Sequence, residues 1–90
     1  MELVQASHIL VPTYEQAHTL YEDIAQGADF DALAHEHSTC PSKARGGDLG
    51  QFGRGMMVQP FEQATFDLPV GGLSIPVQTQ FGWHVIKRTA

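Results

Sequence analysis

An α+β domain of element order βααβαββ is predicted by three observations. Apolar, β-branched runs lie near both ends of the chain, apolar residues recur at helical spacing between them, and prolines and glycines punctuate the junctions. Leu3 to Val11 reads as a buried strand, ended by Pro12, which disfavours further pairing. Thr13 and Gln16, three apart, form a capping box for a first helix; Ala17, Leu20, Tyr21 and Ile24 supply its apolar face and Gly27 stops it. Asp29 is the expected N-cap of a second helix, whose one face is marked by Phe30, Leu33, Ala34 and His37 through to Ser38.

Residues 39–48 read as an ordered loop, because Pro41, Gly46 and Gly47 break both periods while Lys43 and Arg45 keep it solvated. Leu49 to Phe52 suggests a short strand. Pro60 fits the first turn of a third helix that carries Phe61, Ala64 and Phe66 inward. Pro69 and the Gly71-Gly72 pair then force a turn. Ile75 to Gln78 and Trp83 to Arg88 are two further strands joined by Thr79 to Gly82, a length that suits a hairpin. This pattern leaves the strand order open.

Ninety residues make one domain, residues 1–90, with a single core. A formal charge of -5 argues against binding to nucleic acid or to an anionic membrane surface. No apolar stretch approaches the ~20 residues that cross a bilayer. One cysteine, Cys40, forms no internal disulfide, and the start lacks signal-peptide character, so a reducing cytoplasm is the expected setting; a domain excised from a larger exported protein would look the same. We take the chain as a monomer.

The most informative stretch runs from Arg45 to Phe61, where Gly46-Gly47, Asp48-Leu49-Gly50, Phe52, Gly55-Met56-Met57 and Pro60-Phe61 stand at irregular spacing that packing alone rarely demands. Ser7-His8-Ile9-Leu10-Val11 precedes it, and Thr79-Gln80-Phe81-Gly82-Trp83-His84-Val85-Ile86-Lys87 follows. Together these resemble the signature of the parvulin-type peptidyl-prolyl cis/trans isomerases, the PpiC or rotamase family, over almost the whole chain. The small bacterial forms look most similar. The resemblance implies an FKBP-like fold, a four-stranded antiparallel sheet with three to four helices, and an activity that speeds rotation about X-Pro bonds in protein substrates and so assists folding.

That rotation faces a barrier of ~18–20 kcal/mol, because the planar amide has partial double-bond character. At the twisted transition state the carbonyl is less polar, so an apolar, water-poor pocket gripping the proline ring favours that state. The chemistry requires no metal, nucleophile or cofactor. The resemblance assigns the proline cup to Met57, Phe61 and Phe81, with Leu49 and Phe52 alongside; each is also an ordinary core residue type, and some phosphate-directed relatives carry a small residue at the place of Phe81. His8 and His84 stand where strands normally prefer valine or isoleucine. The family places their strands side by side, which allows an imidazole pair with Thr79 as hydroxyl partner, shaping the cleft floor rather than transferring a proton. Parvulins place cysteine or aspartate at the position of Cys40, so a polar group near the substrate carbonyl fits it better than a covalent role.

Other chemistries fit less well. His35-Glu36-His37 has poor metal spacing, since helix residues two apart point in different directions; solvated surface is expected for His35 and helix-face packing for His37. A hydrolase built from Cys40 with His8 or His84 lacks an oxyanion-hole motif. The glycine-rich run lacks the Gly-Lys-Ser/Thr ending of a phosphate loop. The surviving alternative is a module that binds proline-containing or unfolded chains without catalysis. No Lys or Arg precedes Lys43, so phosphoserine-proline preference is not expected; an uncharged, apolar residue before proline is.

Overall fold

The computed structural model describes residues 2–90. Its elements are β1 (Leu3–Val11), α1 (Tyr14–Ala25), α2 (Phe30–His37), a 3-10 turn (Pro41–Arg45), β2 (Asp48–Gly53), α3 (Gln59–Asp67), β3 (Val77–Thr79) and β4 (Gly82–Arg88). The four strands form one antiparallel sheet of order β2-β1-β4-β3, so the first and last strands are its interior pair. Both faces of β1 are therefore covered. Ile9 and Val11, with Val85 of β4, pack against Ala17, Leu20, Phe30 and Ala34 of α1 and α2. Val4, Ala6 and Ile86 point the other way, with Phe52, onto Phe61 of α3.

Local chemistry sets the helix starts as the sequence implies. The Thr13 hydroxyl accepts from the Gln16 amide and the Asp29 carboxylate from that of Ala32. Pro60 sits in the first turn of α3, where its missing N–H costs nothing.

Three expectations are corrected. The loop at 39–48 contains the 3-10 turn, too short to show a period, with Gly46 as its left-handed cap. The third strand is shorter than Ile75 to Gln78: Ile75 is exposed, Pro76 has no N–H to pair, and the Ser74 hydroxyl accepts the Ile86 amide at 2.9 Å in place of a ladder carbonyl. His37 does not pack on the sheet but is exposed, 3.7 Å from the Glu36 carboxylate.

Candidate functional site

The pleat of two neighbouring strands puts the two histidines on one face. His8 pairs with Ile86 and Leu10 with His84, so the imidazoles are diagonal neighbours on the side that α3 covers. Their rings stack with centroids 5.1 Å apart and their Nδ1 atoms meet at 2.9 Å. On the far side of His84, Nε2 lies 2.6 Å from the Thr79 hydroxyl, which also accepts the Phe81 amide at 3.1 Å. Phe61 stands nearly perpendicular to both imidazoles, 5.4 Å from His8 and 5.1 Å from His84.

Burial keeps this pair neutral. The pKa of each histidine is lowered from 6.5 to about 4, for His84 by desolvation and for His8 by desolvation first and the charge of a protonated His84 second. A neutral pair in Nδ1 contact holds one proton between them. With His84 donating, its Nε2 accepts from Thr79 and His8 carries its own proton on Nε2. With the direction reversed, His84 Nε2–H donates to the Thr79 hydroxyl oxygen and the His8 Nε2 is a bare acceptor. In either tautomer the His8 Nε2 is the one buried side-chain polar atom without a protein partner among the described residues.

Over this floor opens a cleft of about 450 Å³. Met57, Val58, Phe61 and Leu49 give it apolar walls, Phe81 and Met56 are its exposed members, and Leu10, Thr39, Cys40 and Pro41 complete the lining. Apart from the two histidines its lining carries no ionisable side chain but Cys40, whose sulfur accepts the Ser42 hydroxyl at 3.3 Å. The Ser38 hydroxyl accepts the amides of Leu10 and Cys40, which fastens the cysteine-bearing loop to β1.

The glycine pair also has a local reason. Gly47 holds φ at +86° and its carbonyl accepts the His8 amide at 3.0 Å; a Cβ there would be driven into the His8 carbonyl oxygen. The Gly46-Gly47 pair thus lets the loop lie flat on the strand that carries the histidine.

The structure brings together seven of the nine residues expected from sequence: His8, Cys40, Leu49, Met57, Phe61, Phe81 and His84 line one cleft. Thr79 stands behind His84 as its partner rather than in the lining. Phe52 does not line the cleft. It is fully buried behind Phe61, ring centroids 6.1 Å apart, and supports the wall from the core. Leu10, Thr39, Pro41, Met56 and Val58 were missed. Leu10 had a signal, since it lies two residues beyond His8 on the same face of a strand; Met56 had one in its adjacency to Met57.

Fold and cleft define a small α+β protein with an uncharged apolar cleft floored by a neutral histidine pair. The Rotamase family, the PPIC-type PPIASE domain, matches residues 8–90. Foldase protein PrsA of Caldanaerobacter subterraneus is 47% identical over 96% of this chain, and Pin1 of Arabidopsis thaliana, a peptidyl-prolyl cis-trans isomerase, is 53% identical over 84%. The chain spans 28% of that PrsA and 65% of that Pin1. The solution structure of NmPin, the parvuline of Nitrosopumilus maritimus, is 42% identical, superposes with a TM-score of 0.89, and covers 100% of this chain and 98% of its own. The chain belongs to the PPIC-type, or parvulin, family of peptidyl-prolyl isomerases.

Proposed function

We propose that this chain is a peptidyl-prolyl cis/trans isomerase that accelerates rotation of X-Pro bonds in polypeptide substrates without a covalent intermediate. The observation that carries the reading is the pairing of an apolar cleft, built from Met57, Phe61, Leu49 and Phe81, with a floor of two imidazoles held neutral. A proline ring seated against Phe61 and Met57 loses water, and the polarity of the planar amide is costlier to keep there than that of the twisted one. His8, His84 and Thr79 shape the floor as one hydrogen-bonded unit, and Cys40 offers a polar group at the cleft side. The foldase name of the PrsA relatives supports a role in assisting folding. The lone cysteine fits a reducing, cytoplasmic setting.

The absence of Lys, Arg, Asp and Glu from the lining favours an uncharged, apolar residue before proline over glutamate or phosphoserine. The test is the cis-to-trans rate of Ala-Xaa-Pro-Phe reporter peptides, Xaa being Leu, Glu or phosphoserine. Catalysis is expected to be fastest with Leu, to fall about 5- to 30-fold in Met57→Ala, from some 1–2 kcal/mol of lost apolar contact, and largely to survive Cys40→Asp. Fastest turnover with Glu or phosphoserine would sink the specificity. Peptide binding with no acceleration would replace the isomerase by a binding module.

A further inference from the structure

The residues between β2 and α3 carry Met56, Met57 and Val58 into the cleft yet have no regular secondary structure of their own. A wall made this way needs something to hold it. Two of the available ties are weak: the Met56 sulfur, a poor acceptor, takes the Gly53 amide at 3.2 Å, and Arg54 pairs with Glu2 at 3.6 Å through side chains that are 52% and 73% exposed. Glu62 differs. It lies in the first turn of α3, one residue after Phe61, and its side chain is only 15% exposed. One carboxylate oxygen accepts the Gly55 amide at 2.5 Å, and the other lies 3.6 Å from Arg54 Nη1, whose guanidinium covers the Phe66 ring at 4.2 Å. An acidic residue in that turn ordinarily serves its own helix; this one reaches out to the loop.

We propose that Glu62 is a positioning residue: its carboxylate, through the Gly55 amide, ties the Met57-bearing loop to the helix that bears Phe61 and so sets the width of the proline cup. The inference rests on the proposed cleft function for its consequence, though not for its geometry. Gly55 holds φ at +86° in a turn closed by a long 3.4 Å bond from the Met56 amide to the Gly53 carbonyl, and the Glu62 carboxylate is the charge-assisted partner of its own amide.

The test compares wild type, Glu62→Ala, Glu62→Gln and Arg54→Met in three measurements: Kd for an Ala-Leu-Pro-Phe peptide by NMR titration, backbone 15N order parameters, and the unfolding midpoint. Glu62→Ala is expected to weaken binding about tenfold, the equivalent of ~1.4 kcal/mol, and to drop Gly55 and Met57 from rigid values to below about 0.6, with α3 unchanged. Glu62→Gln, which keeps an acceptor, and Arg54→Met, which keeps the carboxylate, are expected to stay within about threefold of wild type. Equal losses in Gln and Ala, or wild-type order at Gly55 in Glu62→Ala, would overturn the proposal; so would disorder spread through α3. If the wild type binds the peptide without isomerising it, the isomerase reading fails while binding and order parameters still decide the clamp.

Discussion

Acidification is predicted to destabilise this protein through its histidine pair. Each imidazole has a pKa near 6.5 when solvated and about 4 in the folded chain, so between those values the unfolded state binds protons that the native state refuses. Stability from this source is complete above pH 7 and is lost as pH falls from 6.5 toward 4. At pH 5 the gap of 1.5 units below the solvated pKa corresponds to roughly 2 kcal/mol per histidine, about 4 for the pair, against a typical domain total of 5–15. The two protons are not equivalent. The first meets desolvation alone and leaves a donor and an acceptor at the 2.9 Å contact; the second sets two N–H donors and two charges face to face. Urea unfolding at pH 7, 6 and 5 and constant ionic strength should show the midpoint falling with little change in m, while imidazole NMR shifts of His8 and His84 stay at neutral values down to pH 5. A midpoint that holds steady from pH 7 to 5, or native imidazoles titrating near 6.5, would refute the reasoning.

Two further substitutions separate the supports of the same pair. Gly47→Ala places a side chain in a left-handed backbone and against the His8 carbonyl, and should cost at least ~2 kcal/mol by urea unfolding while shifting the His8 amide resonance. Thr79→Val is close in shape but leaves the buried His84 Nε2 without a partner; a loss of about 1–3 kcal/mol and a changed His84 tautomer, read from its 15N shifts, are expected.

Much of the fold was legible because its signals are local. Thr13 and Asp29 cap the helices they precede by bonding to amides three residues on, whatever the rest of the chain does. The strand at 75–78 misled for the opposite reason: Ile75 reads as a strand residue, but the path of the chain is set by the Ser74 hydroxyl, which takes a ladder bond 12 residues away. The cup shows the same limit. Phe52 and Met56 are apolar neighbours of one glycine-rich run, and no periodicity in such a run says which faces the core. The answer lies in β2 pairing, where Phe52 sits opposite Val4 on the inner face, and in the turn after Gly53, which swings Met56 to the rim.

The histidines argue most directly for a site rather than a core. His8 and His84 occupy interior strands, His8 in line with Val4 and Ala6 and His84 beside Ile86, where an aliphatic side chain would pack without a polar atom to satisfy. Holding two imidazoles there requires Thr79 behind one, a shared proton between both, and an Nε2 on His8 that meets no protein group among the described residues. Phe61, perpendicular to both rings, packs against the pair and is at the same time part of the wall of the apolar cleft. A chain that needed only a stable sheet had no reason to keep that arrangement. What it provides is a floor that is polar and uncharged at neutral pH, under an apolar wall.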